Sequence, residues 1–167
     1  MLEIKRAKTS DVDLVFDLIK ISFQDYNTSS LVSTNPAWLE GKEDVYRDIR
    51  NKEVLIAYLN NKPVASVRFY SIGGRNFYLS RLGVLPQYRE QQIAKKLVNS
   101  VESRVKARSG EKIILYSAYQ AKRLLAFYRK LGYKVVALKH SNDYIRAIIT
   151  KILINCNTLE KGEEVYE

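Results

Sequence analysis

Cysteine and histidine, the residues that build disulfides and many metal sites, are almost missing from this sequence. Its 167 residues contain one cysteine, Cys156, and one histidine, His140. A single cysteine excludes an internal disulfide framework and indicates a reducing compartment such as the cytoplasm. The same counts argue against a zinc site, so we expect no metal. We interpret Cys156 as an inert thiol and His140 as a surface residue in a turn over residues 139–143.

Long hydrophobic runs are also missing. No apolar run approaches the roughly 20 residues that cross a bilayer, and residues 1–6 lack the apolar core of a signal peptide. We therefore expect no membrane segment and a cytoplasmic location. The apolar fraction of 46% argues against disorder, and the length fits one domain. We predict a single domain over residues 1–154 and a polar C-terminal tail over residues 155–167.

Basic residues outnumber acidic ones, 28 to 18, which gives a formal net charge of +10. This charge favours anionic partners in general, but it does not distinguish nucleic acid, a membrane surface and a phosphorylated cofactor. Solubility alone also explains it. The sequence has no recognisable helix-turn-helix, zinc finger or RNA-binding aromatic pattern, so we rank a nucleic-acid-binding protein last among the function hypotheses.

Apolar periodicity predicts a mixed α+β fold. Seven strands are expected at residues 2–6, 53–59, 64–70, 77–85, 112–116, 133–138 and 144–154. Four helices are expected at residues 11–24, 37–50, 89–108 and 121–131, and a loop at residues 27–36. This order predicts a mostly antiparallel sheet of about seven strands flanked by about four helices. The fourth and fifth strands should be parallel, because a helix connects them.

Several residues carry the expected turns and helix ends. Ser10 to Asp13 has the pattern of a capping box, with Ser10 as the cap. Asn60-Asn61 suits a tight hairpin turn with positive φ. Glycine should provide a left-handed helix end at Gly110 and again at Gly132.

One stretch, residues 82–97, combines an apolar strand, a proline-marked turn and a helix start with no evident capping side chain. The first N–H groups of a helix lack partners within it and carry a positive partial charge. Such a helix start can bind an anion. Lys95 and Lys96 in its first turn fit a bound anion, although an ordinary solvated face explains these two lysines better.

Two motifs make the sequence resemble the GNAT superfamily of acyl-CoA N-acyltransferases, over residues 2–153. In the first, Leu-Gly-Val-Leu-Pro-Gln-Tyr-Arg at residues 82–89 is similar to the family's fourth strand and the turn after it. The family continues with Arg/Gln-x-x-Gly-x-Gly/Ala, which falls on residues 89–94. The second is Leu-Ala-Phe-Tyr-Arg-Lys-Leu-Gly-Tyr at residues 125–133, similar to the family's Phe-Tyr-x-Lys-x-Gly-Phe.

The resemblance implies an acyl-CoA site built largely from backbone. The pantetheine arm would lie along the strand edge and the diphosphate over the helix start. The residues implied are Leu82, Gly83, Val84, Arg89, Glu90, Gln91, Gln92, Ile93 and Ala94. Gln92 stands where the family has its first glycine. We expect Gln92 to be helical, with its side chain directed away from the diphosphate and somewhat weaker binding as a result.

The resemblance also assigns the chemistry to Tyr128. In the family reaction an amine attacks the thioester directly, and a tyrosine at this position protonates the departing CoA thiolate. A phenol with a pKa near 10 is a proton donor at neutral pH. From the residues alone, a core aromatic beside Phe127 is the alternative.

The general base and one cofactor contact stay open. Many relatives carry a glutamate on the fourth strand, but residues 77–81 contain no carboxylate. The amine proton could go to ordered water, a backbone carbonyl, Ser80 or Tyr116. Relatives often place an asparagine where this chain has Ala121, and Ser117 or Tyr119 could replace its contact with pantetheine.

The resemblance places the acceptor pocket at the loop over residues 27–36 and the helix after it. The residues there suited to a cationic amine are Asp25, Tyr26, Trp38, Glu40 and Glu43, although ordinary surface placement explains any single one of them better. The expected partners are acetyl-CoA and an amine, either a small molecule, a polyamine, a peptide N-terminus or a lysine. Acyl-chain preference and the choice between monomer and homodimer stay open.

The leading hypothesis is therefore an N-acetyltransferase that acetylates a primary amine from acetyl-CoA. The alternative is a catalytically silent CoA-binding or sensing module of the same fold. Gln92 and the missing strand carboxylate motivate that alternative.

Overall fold

The structure is a computed structural model that describes residues 1–25, 36–140 and 144–153. Three predictions fall outside these ranges: most of the loop at residues 27–36, the tail at residues 155–167 with Cys156, and the side chain of Tyr26. Within the described ranges no helix is long and apolar enough to cross a membrane. The same residues contain no group of His, Cys, Asp and Glu side chains that could hold a metal ion.

Seven strands form one sheet in the order β1-β2-β3-β4-β5-β7-β6. The strands are β1 Leu2–Arg6, β2 Glu53–Leu59, β3 Lys62–Gly73, β4 Asn76–Val84, β5 Lys112–Ala118, β6 Lys134–His140 and β7 Ile145–Ile152. All neighbours are antiparallel except β4 and β5, which are parallel. The predicted fold class and the one parallel pair are confirmed.

Five helices lie in the described residues. They are α1 Val12–Ser22, α2 Pro36–Leu39, α3 Lys42–Asn51, α4 Ile93–Ala107 and α5 Lys122–Lys130. Short 3-10 turns at Thr9–Asp11 and Pro86–Tyr88 precede α1 and α4.

Two hydrophobic cores lie on opposite faces of the sheet. One packs α4 and α5 against β2 to β5 and β7, with Phe69, Leu97 and Ile113 almost fully buried. The other packs α1 and α3 against the remaining face of β2, through Val15, Val45 and Ile56 among others. Residues two apart along a strand share a face, so alternate residues of β2 enter the two cores.

The predicted second helix is divided. Glu40 and Gly41 separate α2 from α3. Leu39 at the end of α2 is 73% exposed, whereas Ala37 is buried. The Gly41 N–H donates to the Asp44 carboxylate at 2.9 Å, and this short-range bond starts α3 afresh.

The predicted cap of the first helix is wrong. Ser10 lies inside the 3-10 turn, and the Asp11 carboxylate accepts the N–H of Lys8 at 2.7 Å instead. The cap is shifted because the chain makes a tight turn before α1 begins at Val12. Asp11 is acidic and therefore also suits the positive end of the helix that follows.

Two more helix ends test the glycine predictions. Gly132 is left-handed as predicted, with φ of 90°. After α4, however, Ser109 takes the left-handed conformation and Gly110 does not. Gly110 is needed for space, since a Cβ there would lie 2.3 Å from Cγ1 of Val105.

His140 lies at the end of β6 and not in a turn. Its backbone pairs with Ile145 of β7, so the strand pairing extends further than the polar sequence indicates. The side chain is exposed, which agrees with a surface role.

Candidate active site

The parallel strands β4 and β5 separate partway along their length. They pair only from Asn76–Lys112 to Tyr78–Ile114. Beyond that point β4 continues to Val84 and β5 to Ala118, each with a backbone edge that faces the other strand without pairing to it. A ligand lying in this gap can therefore hydrogen-bond with main-chain groups of both strands.

A β-bulge shapes the β4 side of the gap. Ser66 pairs with Gly83 and Arg68 pairs with Ser80, so β4 carries one extra residue between these pairs. Arg81 lies at this bulge and has a left-handed φ of 53°. A bulge of this kind bends the strand and redirects its backbone groups, and bulges are frequent beside active sites.

The strand edge then leads to the start of α4 through two left-handed residues. Glu90 has φ of 63°, and Gln92 has φ of 64° and ψ of 9°. The prediction of an ordinary helical Gln92 is wrong. Gln92 adopts the left-handed conformation for which glycine is favoured, at the position where the resemblance implies a glycine.

The first turn of α4 presents unpaired donors. The N–H of Lys96 bonds to the Gln92 carbonyl at 3.1 Å, and no side chain caps the helix. The N–H groups of Ile93, Ala94 and Lys95 therefore precede the helical ladder. Lys95 and Lys96 are exposed, as an ordinary solvated face would have them.

Arg89 points its side chain back into the protein. Its Nη2 donates to the Ser22 carbonyl at 2.9 Å, its Nη1 pairs with Asp25 at 2.6 Å, and its Nε donates to the Val84 carbonyl at 3.3 Å. These contacts tie the loop before α4 to the end of α1 and to β4. The guanidinium is thereby engaged by protein groups, and Asp25 is engaged with it.

Gly83 is also explained by packing. A Cβ on Gly83 would lie 2.7 Å from Cβ of Ser22 and 3.0 Å from Cε2 of Phe23. Only glycine lets α1 approach β4 this closely. Leu82 and Val84 are partly buried on either side of it.

Tyr128 lies on α5, toward the core that α4 and α5 share, and is 3% exposed. Its ring packs edge-to-face on Phe127 and Tyr133, with centroids 5.0 and 5.4 Å away. Tyr128 therefore packs as a core aromatic, and its hydroxyl is held in a largely dry environment.

Tyr133 beside it is part of a buried polar group. Lys151 Nζ binds both carboxylate oxygens of Glu102 at 2.9 Å and lies 5.5 Å from the Tyr133 ring centroid. Burial, followed by the nearby negative charge of Glu102, raises the pKa of the Tyr133 hydroxyl far above its usual value. Tyr133 therefore stays protonated throughout the working pH range.

The opposite sheet face carries a row of tyrosines across the start of the gap. Tyr70 of β3 lies 5.5 Å from Tyr78 of β4, and Tyr78 lies 5.4 Å from Tyr116 of β5, measured between ring centroids. Tyr116 is 45% exposed, and burial raises the pKa of Tyr78. We call these three residues the tyrosine row. The sequence did not reveal it, because the three strands meet only in the folded sheet.

A buried charge network lies on the same face. Arg68 donates to both oxygens of Glu40, at 3.0 and 3.1 Å, and pairs with Asp48. Arg81 Nε donates to Glu40 at 2.7 Å. Glu40 is therefore neutralised by two arginines, and the structure does not leave it free for the cationic amine suggested by the sequence.

The other acceptor candidates are scattered. Trp38 Nε1 donates to the Phe23 carbonyl at 3.0 Å, and Glu43 is exposed on α3.

The candidates for the general base and the pantetheine contact also lie apart from one another. Ser80 lies on the tyrosine-row face of β4. Ser117 lies on the opposite face of β5 from Tyr116. Tyr119, just after β5, lines a cleft of about 320 Å³ between α5 and β6. Ala121 precedes α5 and has no capping side chain.

Comparisons with known proteins agree with this geometry. The sequence profile of the acetyltransferase (GNAT) family matches residues 16–133, which is more than half of the chain. Among curated proteins, no sequence matches closely enough to count as a relative.

Solved structures share the fold at low identity. The PaiA N-acetyltransferase from Thermoplasma acidophilum, solved with coenzyme A, aligns with a TM-score of 0.77 at 19% identity, over 92% of this chain and 99% of its own. The ribosomal-protein-S18-alanine N-acetyltransferase from Escherichia coli gives a TM-score of 0.76 at 14% identity, over 100% of both chains. An aminoglycoside 6′-N-acetyltransferase complexed with coenzyme A gives 0.72 at 19% identity, over 92% and 98%.

The family profile covers both sequence motifs, at residues 82–94 and 125–133. The first motif forms the separated strand edge and the left-handed loop before α4. The protein belongs to the GNAT family of acetyltransferases and is an acyltransferase enzyme.

Proposed function

We propose that the protein is an N-acetyltransferase that transfers the acetyl group of acetyl-CoA to a primary amine, by direct attack within a ternary complex. The observation that carries this proposal is the gap between β4 and β5, which leads to the left-handed loop and uncapped start of α4. Family membership and structural neighbours solved with coenzyme A support acetyl-CoA as the donor.

In this proposal the diphosphate binds to backbone N–H groups in residues 90–94. Two left-handed residues and a helix N-terminus together form a concave set of donors, which favours a doubly charged phosphate group. The pantetheine arm lies along Leu82 to Val84, where its amides replace the missing strand partner. Arg89 is a positioning residue that fixes the loop on α1.

The reaction requires one bond to form and one to break. The neutral amine attacks the thioester carbonyl carbon, and the tetrahedral intermediate then expels the CoA sulfur as a thiolate. Tyr128 donates its phenolic proton to that sulfur, and the phenolate regains a proton from water once CoA leaves. The packing of its ring against Phe127 and Tyr133 supports this role, because it holds the phenol in one orientation.

The amine must also lose a proton. Ordered water, Ser80 and Tyr116 are the candidates for accepting it, and both side chains lie on the tyrosine-row face. This face is where we place the acceptor. Acetyl-CoA then occupies the gap, and its thioester is reached from the tyrosine row.

The test is calorimetric titration with acetyl-CoA, followed by a thiol-release assay over a panel of primary amines. We expect micromolar binding and release of CoA that depends on the amine. Failure to bind at millimolar acetyl-CoA would overturn the proposal. Binding without thiol release for any amine would indicate a silent CoA-binding module instead.

A further inference from the structure

Arg146 is a partly buried cation beside the tyrosine row. It lies on β7 directly opposite Ala118, the last residue of β5. Cross-strand neighbours share a sheet face, and Ala118 shares its face with Tyr116 two residues earlier. Arg146 therefore lies on the face where we place the acceptor.

Two tyrosines hold its guanidinium in place. The Arg146 Cζ lies 5.5 Å from the Tyr116 ring centroid and 5.7 Å from that of Tyr144. Its Nε and Nη2 donate to the Tyr144 hydroxyl at 3.3 and 2.9 Å. A planar guanidinium fixed between aromatic rings loses little further entropy when it binds a ligand.

The charge of Arg146 is not matched by a carboxylate in the part of the chain that the structure describes. Its Nη1 donates to no acceptor there, and its cross-strand neighbour is another cation, Lys139. The other arginines that are partly or fully buried each form an ion pair. These are Arg68, Arg81 and Arg104.

This contrast matters because burying an unpaired charge is unfavourable, and an anion supplied by a ligand would offset the cost. A cationic ligand would find the opposite situation. The carboxylates of Glu40 and Asp48 on this face are already bound to Arg68. In its described part, this face therefore favours a ligand with a negative group over a ligand with a second positive group.

We propose that Arg146 selects amine acceptors that carry a carboxylate, an inference that rests on the proposed acetyl transfer. The guanidinium fork binds a carboxylate through two parallel hydrogen bonds. The amine and the carboxylate must be several bonds apart. Ala118 lies four residues beyond Ile114, where the gap opens, which corresponds to about 13 Å along β5. The Arg146 side chain spans part of that distance, since its Cζ lies 5.5 Å from the ring centroid of Tyr116, two residues nearer to the gap.

The experiment compares matched acceptors that differ only in the anionic group. 6-Aminohexanoate carries the carboxylate, hexylamine lacks it, and 1,6-diaminohexane replaces it with a cation. We expect kcat/KM for 6-aminohexanoate to exceed that for hexylamine by at least about tenfold, the range of a charge-assisted hydrogen bond, and 1,6-diaminohexane to be poorest. Equal kcat/KM for 6-aminohexanoate and hexylamine would overturn the inference and leave acetyl transfer intact.

Substitution of Arg146 provides the second arm. Arg146→Met should bring the ratio of kcat/KM for 6-aminohexanoate to kcat/KM for hexylamine close to one, whatever its effect on hexylamine alone, and Arg146→Lys should restore part of that ratio through its charge. Arg6→Met is the matched control, since it removes an exposed cation from β1 at the far edge of the sheet. An unchanged preference in Arg146→Met would contradict the proposal.

Binding of products decides the question without turnover or variants. In the presence of CoA, the wild-type protein should bind 6-acetamidohexanoate at least about tenfold more tightly than N-hexylacetamide. Equal affinities would overturn the role of Arg146 as a selector. If CoA itself does not bind, the proposed function fails first, and the two failures are thereby distinguished.

Discussion

At the scale of single residues, Gln92 combines a glycine conformation with a side chain that disfavours it. Left-handed backbone in an L-residue costs about 1 kcal/mol relative to glycine. Natural chains keep such strain where the surrounding structure requires the conformation, most often at functional sites. The left-handed conformation before α4 is therefore present although glycine, the residue that favours it, is absent.

The substitution Gln92→Gly should therefore stabilise the protein by about 1 kcal/mol and bind acetyl-CoA at least as tightly as the wild type. Denaturant unfolding and calorimetric titration measure the two effects. Gln91→Gly is the matched control, because Gln91 does not have positive φ and the change should only lower stability. Loss of stability in Gln92→Gly would show that the Gln92 side chain makes a needed contact.

Tyr128 and Tyr133 form a natural pair for separating chemistry from packing, since both are buried and their rings touch. Tyr128→Phe should lower kcat by a factor of about 10² or more and change the acetyl-CoA Kd less than twofold, because it removes only the acid. Tyr133→Phe should leave kcat nearly unchanged. Its hydroxyl lies beside the Glu102 carboxylate, so removing it should change the free energy of unfolding by no more than the roughly 1 kcal/mol of one hydrogen bond.

Steady-state thiol release and cofactor titration on both variants give the result. A fall in kcat and in cofactor affinity by the same factor for Tyr128→Phe would point to packing alone. A large fall in kcat for Tyr133→Phe would place the acid at Tyr133 or require both hydroxyls, contrary to the assignment.

At the scale of elements, the closeness of α1 to β4 depends on Gly83. Gly83→Ala would place a Cβ 2.7 Å from Cβ of Ser22, and the two elements would have to separate. Overpacking of this kind costs about 1–3 kcal/mol. Because Arg89 ties α1 to the loop before α4, the same change should also weaken acetyl-CoA binding.

Unfolding and titration of Gly83→Ala test this coupling. Gly41→Ala is the control, since a Cβ there meets its nearest atom, Oδ2 of Asp44, only at 3.8 Å and the residue has negative φ. Gly41 is the N-cap of α3, so we expect Gly41→Ala to lose no more than about 1 kcal/mol of stability and to bind acetyl-CoA like the wild type. If Gly83→Ala were as stable as Gly41→Ala, α1 would be adjustable against the sheet and the argument from close packing would fail.

Elements that depend on local pattern could be predicted from the sequence, and elements that depend on competing local contacts could not. The hairpin at Asn60-Asn61 has positive φ at both residues, as the dipeptide indicates. The cap at Asp11 and the break at Glu40 and Gly41 were missed. In both places a carboxylate three residues ahead binds a backbone N–H, and several polar residues nearby could have done the same.

At the scale of the whole molecule, the topology followed from the sequence, whereas the tyrosine row did not. Chain order sets the crossover from β4 to β5, so their parallel pairing was predictable. The tyrosine row and Arg146 come from strands far apart in sequence, and their proximity depends on register. The burial and pairing of Glu40 depend in the same way on two arginines from other strands.

Binding of acetyl-CoA should stabilise the entire domain, because its proposed site draws on β4, β5 and α4 at once. A ligand at 100 times its Kd stabilises the folded state by about 2.7 kcal/mol. For a domain of this size that corresponds to a rise in Tm of about 5–10 °C. Pantetheine, which lacks the diphosphate, should raise Tm much less at the same concentration. Thermal unfolding followed by circular dichroism measures both shifts, and equal shifts would show that the start of α4 does not bind the diphosphate.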